Sequence, residues 1–164
     1  MNKEWELVPA SPKEIARVRE HCRRMVRRRA IISAGVSAVP IPGVDVVSDL
    51  SLFALLVDDV NQAFGLSKEQ IERLQPQFRM LAYQSAVGGG GMMVGRMVTR
   101  ELVLQVFQRM GMKLLARSAS RLVPLAGQMA SAAIGFTVFR RLGYEHVEAC
   151  VRVAGELNEA RRPL

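Results

Sequence analysis

The fold is decided by the stretch from residue 30 to residue 45, which reads AIISAGVSAVPIPGVD. Its first part consists of small and apolar residues, as is typical of a helix that packs closely against another helix. Pro40 and Pro42 then end that helix, because two prolines two residues apart cannot both fit a regular helical hydrogen-bond ladder. Gly43 completes the corner, and helical spacing resumes after it. The stretch therefore predicts a helical hairpin with a Pro-Gly corner.

A second corner of the same form occurs later in the chain. Residues 39–43 read VPIPG and residues 123–127 read VPLAG, which places Pro124 and Gly127 at equivalent positions to Pro40 and Gly43. Each corner follows small residues and precedes a long apolar segment, as two related helical hairpins would. A chance match of two short segments is the alternative.

Apolar residues at helical spacing extend on both sides of the two corners. The predicted helices cover residues 12–38, 44–64, 68–75, 78–94 with an interruption at 88–91, 98–121, 127–142 and 144–160. No alternation of apolar and polar residues is long enough to support a β-sheet. We therefore predict an all-α fold, a compact bundle of about six to eight helices built from helical hairpins with Pro-Gly corners.

Local signals predict where several of these helices begin and end. Ser11 with Glu14, and Ser67 with Gln70, have the spacing of N-terminal capping boxes. Gly65 has the position of a glycine that ends the preceding helix.

The composition is that of one helical domain. The chain has 164 residues, of which 49% are hydrophobic, and this suffices for one buried core without metals or disulfides. We place the domain at residues 11–160, after a lead-in at 1–10 and before a tail at 161–164. Cys22 and Cys150 form no CxxC motif, and the first residues lack the apolar stretch of a signal peptide. We expect a cytoplasmic location, in solution or at the cytoplasmic membrane.

Small residues recur at one-turn spacing in two places. Gly127, Ser131 and Gly135 lie four residues apart, and so do Gly91 and Gly95. This spacing allows close helix packing, in a membrane or in a soluble bundle. The uncharged run at residues 122–139 has the lower limiting length of a transmembrane helix. Its proline and glutamine favour a buried helix of a soluble bundle, and integral membrane insertion is the alternative.

The charge is strongly basic, with a formal net charge of +8. One short segment, directly before the uncharged residues 30–44, contains Arg23, Arg24, Arg27, Arg28 and Arg29. Like charges one turn apart destabilise a helix, so this clustering favours an anionic partner. Basic residues beside an apolar segment are typical of a cytoplasmic membrane flank. A solvated helix face and a general bias of the chain toward arginine are the alternatives.

Other kinds of chemistry are disfavoured. Asp45 and Asp49 are better explained by a helix N-terminus and an ion pair than by acid–base catalysis. Residues 90–97 imitate a P-loop but have arginine and methionine where lysine and serine or threonine are required. His146 and Cys150 would need metal ligands from distant parts of the chain. The arginines lack the interleaved aromatics of an RNA-binding surface. We expect no catalytic residues, metal, cofactor or nucleic-acid partner.

Residues 34–71 resemble the helical region of the immunity-related (interferon-inducible) GTPases. In that family a segment A-G-x-x-x-x-P-x-P-G-x-x-x-x-x-D precedes a helix that ends in F-G-L-[DS]-x-x-[SQ]-[LI]. Here the first segment lies at residues 34–49, and the second reads FGLSKEQI at residues 64–71. Residues 114–127 are similar to the last hairpin of the family, and related bacterial membrane-associated helical domains share the proline-glycine corners. The resemblance covers about residues 12–155.

The P-loop and the guanine-specificity motif of these GTPases are not found in this sequence, so their nucleotide chemistry does not transfer. What the resemblance implies is the helical module, which in relatives supports membrane association, self-assembly into homo-oligomers and coupling to a GTPase. We therefore expect a non-enzymatic helical domain that associates with an anionic lipid surface, couples to a separately encoded GTPase, or does both. The alternative is a soluble interaction module, of the adaptor, immunity or effector type, that binds one protein partner.

Overall fold

The fold is all-α, as the sequence predicts. The computed structural model describes residues 8–37, 45–88, 91, 93–99, 101–106, 108–109 and 127–161. Within these ranges no residue belongs to a β-strand, and five helices with defined bounds follow one another: α1 (Pro12–Ser37), α2 (Asp45–Ala63), α3 (Lys68–Glu72), α4 (Pro76–Gly88) and α5 (Gly127–Ala160). Residues 101–106, between α4 and α5, are also helical. The corner residues Pro40, Pro42, Gly43 and Pro124 lie outside the described residues.

Helix α5 is the centre of the bundle. It has 34 residues and packs most extensively against α1, and then against α4 and α2. The sequence predicts two helices here, separated at Gly143, and this prediction is wrong. A Cβ atom at Gly143 would lie 2.7 Å from Val26 Cγ1 and 3.4 Å from Leu56 Cδ2. Gly143 therefore allows α1 and α2 to approach α5 closely, and it does not interrupt the helix.

The core is formed where the inner faces of α1, α2 and α5 meet. Helix α1 contributes Ile15, Cys22, Val26 and Ala30, all at helical spacing and all buried. The largest fully buried side chains are three phenylalanines, although the chain has few aromatic residues. Two of them, Phe53 of α2 and Phe139 of α5, pack edge to face with ring centroids 5.0 Å apart.

The turn between α2 and α3 follows the predicted capping signals. Gly65 has a positive φ of 69°, and its N–H donates to the carbonyl of Gln62 at 3.1 Å. The N–H of Leu66 donates to the carbonyl of Asn61 at 2.8 Å, which completes a Schellman motif. Ser67 and Gln70 then form the predicted capping box of α3. This turn fixes the last residues of α2, including Asn61.

The segment after α4 returns to the core. Helix α4 ends at Gly88, within the four-glycine stretch in which the sequence predicts an interruption. The N–H of Gly91 donates to the carbonyl of Ala86 at 2.8 Å, and a turn over residues 93–95 follows. Met93 and Val94 are buried there. This turn brings the backbone of Met93 to the inner side of α2.

Membrane insertion of the uncharged run at residues 122–139 is the alternative to a buried helix of a soluble bundle. In the part of the chain that the structure describes, no helix combines the length and the apolar character needed to cross a bilayer. Residues 122–126 of the uncharged run lie outside that part.

Candidate functional site

Two groups of polar side chains are candidates for a functional site. One lies inside the bundle, and the other lies on its surface. The inner region, called the Asn61 cluster, consists of Asn61 on α2 with His146 and Cys150 on α5. The outer region, called the arginine face, consists of Arg24, Arg27 and Arg28 on the exposed side of α1.

The Asn61 cluster is a buried hydrogen-bond network. Asn61 Nδ2 donates to the backbone carbonyl of Met93 at 3.0 Å. This leaves Asn61 Oδ1 as the acceptor for His146 Nε2 at 3.1 Å and for Cys150 Sγ at 3.6 Å. The sulfur and the imidazole nitrogen are 3.7 Å apart. Asn61 and Cys150 are fully buried, and the side chain of His146 is 3% exposed.

The network holds His146 in its neutral form. Burial lowers the pKa of His146 from 6.5 to about 4, and the backbone of Val57 acts in the opposite direction with a smaller effect. Nε2 faces Asn61 Oδ1, which can only accept, so this contact calls for the tautomer in which Nε2 carries the proton. Nδ1 makes no hydrogen bond of acceptable geometry with any described residue.

Both cysteines are also held in their neutral form. Burial, and then the charge of Asp59, raise the pKa of Cys22 to about 11. Burial, and then the proximity of Cys22, raise the pKa of Cys150 well above its usual range, against a smaller opposing effect of Arg152. Neither cysteine is part of a disulfide.

Cys150, His146 and Asn61 are the residue types of a catalytic cysteine, its base and an orienting amide. The Asn61 cluster nevertheless lacks the properties that such a nucleophile needs. A nucleophilic cysteine needs a lowered pKa and access to substrate. Here burial favours the thiol of Cys150 and the neutral ring of His146, and neither side chain is accessible. The cluster therefore satisfies buried polar groups between α2 and α5. Among the described residues no group of three or more His, Cys, Asp and Glu side chains is arranged to hold a metal ion.

The sequence reasoning missed Asn61. The signal that could have found it is a polar residue one turn after Val57, within the apolar spacing that Val60 and Phe64 continue. Such a residue occupies a core position and needs a buried partner.

The structure divides the five clustered arginines into two groups. Arg23 and Arg29 bind carboxylates of other helices, whereas Arg24, Arg27 and Arg28 point away from the bundle. The inner pair therefore contributes to helix packing, and the outer three form the arginine face.

The inner pair is anchored on α2 and α5. Arg19 Nε donates to Glu148 Oε1 at 2.8 Å, and Arg23 Nη1 donates to the same oxygen at 3.0 Å. Burial acts to raise the pKa of Glu148, but the hydrogen bonds and charges of Arg19 and Arg23 outweigh it and leave that pKa lowered. The guanidinium of Arg23 also lies 4.3 Å from the ring centroid of Tyr144. Arg29 forms an ion pair with Asp59.

The arginine face has a different environment. Arg24, Arg27 and Arg28 are exposed, and none of them makes an ion pair with a carboxylate in the described ranges. At about 100° per residue, these three side chains and Ile31 fall within a sector of about 100° of the helix. Ile31 and Ile32 are 58% and 55% exposed, although the other side of α1 is buried. The outer side of α1 therefore presents unpaired cations followed directly by exposed isoleucines.

The glycines predicted to allow close packing have separate roles where the structure describes them. A Cβ atom at Gly91 would lie 3.1 Å from Ala149 Cβ on α5, so Gly91 permits a close approach. Gly95 lies in the turn after it with a positive φ of 67°, which favours glycine. Gly127, Ser131 and Gly135 belong to the first part of α5. The packing of their side chains lies outside what the structure describes.

One groove opens on the outer side of α2. It has a volume of about 310 Å³, and its lining includes the exposed side chains of Leu55 and Met97. Asp58 and Glu69 contribute negative charge to the lining, and Lys68 and Arg96 contribute positive charge. The groove therefore has no excess of either sign.

The chain matches no protein-family model, and comparisons with curated proteins and with solved structures also give no match.

Proposed function

We propose that this protein is a non-enzymatic helical module that associates with an anionic membrane surface through the arginine face of α1. The observation that carries the proposal is the exposure of Arg24, Arg27 and Arg28 on one side of one helix, without carboxylates to pair with them in the described ranges. Each basic residue near an anionic membrane contributes about 1 kcal/mol to binding.

The electrostatics of the rest of α1 support this choice. Wherever an arginine of α1 is needed for packing, the bundle supplies a carboxylate, as Glu148 does for Arg19 and Arg23 and as Asp59 does for Arg29. The three outer arginines have no such partner among the described carboxylates. Like charges this close together repel, and an external anion removes that cost.

The test is sedimentation with vesicles of phosphatidylcholine and phosphatidylglycerol. Changing Arg24, Arg27 and Arg28 together to Gln should lower the partition coefficient about 100-fold at low salt, because three surface charges are lost. The matched control changes Arg73, Arg79 and Arg96 together to Gln. It removes the same charge outside α1.

The two triple variants give opposite results if the proposal is right. The control should retain most of the binding. Equal binding by the wild-type protein and by the α1 variant would contradict the proposal. Equal losses in both variants would show that only net charge matters, and this would contradict a localised face.

A second function is favoured by a different observation, the groove beside α2. Its exposed Leu55 and Met97 are surrounded by charges of both signs, as is typical of a surface that contacts another protein. A separately encoded GTPase is one such partner, and the sequence resemblance supports it. Under this alternative the protein stays in the soluble fraction after cell lysis, and the arginine variant fractionates like the wild-type protein.

A further inference from the structure

The C-terminal third of α1 carries an exposed apolar pair directly beside the arginine face. Ile31 and Ile32 are 58% and 55% exposed, whereas Val26 and Ala30 on the inner side of the same helix are fully buried. Gly35 continues the exposed side, and a Cβ atom there would meet none of the described residues within 4 Å. The outer side of α1 thus changes from cationic to uncharged along its length.

We infer that Ile31 and Ile32 insert into the acyl region of the bilayer while Arg24, Arg27 and Arg28 contact the lipid phosphates. This inference rests on the proposed function, and it specifies the partner as a lipid bilayer with an accessible apolar interior. The charge complementarity of the arginine face selects this occupant, because the isoleucines and the unpaired cations share one side of one helix.

The dimensions of a bilayer fit this arrangement. Ile31 follows Arg24 by seven positions. At 1.5 Å per residue, this is about 10 Å along the helix axis. The headgroup region of one leaflet is about 5–8 Å thick. With the C-terminal end of α1 tilted toward the membrane, the isoleucines reach the acyl boundary while the arginines remain among the phosphates. The flexible arginine side chains accommodate the remaining difference.

The exposed apolar side chains of α4 lack this setting. Met80 and Val87 on α4 are 62% and 72% exposed. They are seven residues apart and therefore lie on the same side of the helix. Arg79 is the only basic residue of α4, and it donates to the backbone carbonyl of Glu72. These two residues therefore provide a matched control on another helix.

The first experiment measures vesicle binding as a function of salt. The wild-type protein should retain a salt-resistant fraction of its binding to phosphatidylglycerol vesicles, because insertion of apolar side chains is not screened. Changing Ile31 and Ile32 to Ser should remove that fraction and lower the low-salt partition coefficient about tenfold. Changing Met80 and Val87 to Ser should leave both unchanged.

The second experiment measures depth directly. Ile31→Trp in a Trp5→Phe background should shift its emission to the blue on vesicles and be quenched by lipids brominated on the acyl chain. Val87→Trp in the same background should show neither effect. Insertion would be overturned if the emission of Ile31→Trp were neither shifted nor quenched on vesicles. It would also be overturned if the variant with Ile31 and Ile32 changed to Ser kept the salt-resistant binding of the wild-type protein.

The two proposals fail in different ways. If the isoleucine variant behaves like the wild-type protein while the arginine variant loses binding, insertion is wrong and surface association stands. If the arginine variant also binds like the wild-type protein, the proposed function is wrong.

Discussion

The polar side chains of the Asn61 cluster and those of the arginine face differ in whether the protein supplies partners for them. Inside the bundle, the side chain of Asn61 forms hydrogen bonds with His146 Nε2, Cys150 Sγ and the carbonyl of Met93. Outside it, Arg24, Arg27 and Arg28 meet no carboxylate in the described part of the chain. A buried polar group without a partner costs about 1–3 kcal/mol, whereas an exposed cation is solvated at little cost. The inner region therefore serves stability, and the outer region is free to bind.

The largest expected effect is the loss of the inner network. Asn61→Ala leaves His146, Cys150 and the carbonyl of Met93 without their shared partner and should lower the free energy of unfolding by about 2–4 kcal/mol. Gln62→Ala is the neighbouring control, because its side chain is exposed and, among the described residues, donates to Asp58 alone. Urea denaturation measures both. Equal stability of the two variants would remove the structural role of the cluster.

The second effect is a pH dependence of stability that arises from His146 in the inner region. The pKa of His146 is about 4 in the folded protein and near 6.5 in the unfolded chain, so the unfolded state binds more protons between these values. Its contribution to stability is complete above about pH 6.5 and falls by about 3 kcal/mol as the pH decreases to about 4.

The pH effect is measured by urea denaturation between about pH 7 and about pH 5, above the range in which Glu148 titrates. His146→Gln should flatten the dependence, and His21→Gln, at an exposed position, should preserve it. A wild-type protein whose stability does not change in this range would show that the His146 side chain is not buried in its neutral form.

The third effect compares two glycines of α5. Gly143→Ala places a methyl group against Val26 and should destabilise the protein by about 1–3 kcal/mol. The methyl group of Gly155→Ala would meet no described residue within 4 Å, and the substitution should stabilise the protein by about 0.5–1 kcal/mol, because alanine favours helix. Thermal unfolding of both variants gives the signs, and the same sign for both would contradict the close packing of α1 on α5.

The smallest effect concerns the ion pairs of α1 beside the arginine face. Glu148→Gln releases Arg19 and Arg23 from their shared carboxylate and should change stability by less than about 1 kcal/mol, because the pair is partly exposed. The released charges should strengthen vesicle binding by about fivefold. Glu145→Gln adds the same charge but releases only Arg141, within α5 itself. A smaller gain in that control is expected, and an equal gain would indicate a general charge effect.

Local signals in the sequence predicted much of the fold. The all-α class, the start of α1 near Ser11 and the turn from Gly65 to Ser67 depend on capping and helical spacing, which are properties of neighbouring residues. Gly143 was misread because its role depends on Val26, which is far away in sequence.

The two polar regions also depend on contacts between residues that are distant in sequence. The five arginines were visible as a cluster, but their division depends on Glu148 and Asp59, which only the packed helices bring to Arg23 and Arg29. Asn61 was missed because its partners come from α5 and from the turn at Met93. Sequence patterns therefore located the charge, and tertiary packing determined which charges remain exposed.

Charge reversal tests the central claim most directly. Arg24, Arg27 and Arg28 changed together to Glu should abolish sedimentation with phosphatidylglycerol vesicles and produce binding to cationic vesicles, which the wild-type protein should not bind. The same reversal at Arg73, Arg79 and Arg96 should do neither. Continued binding of the α1 variant to anionic vesicles, or the same exchange of preference in the control, would contradict a membrane-binding face on α1.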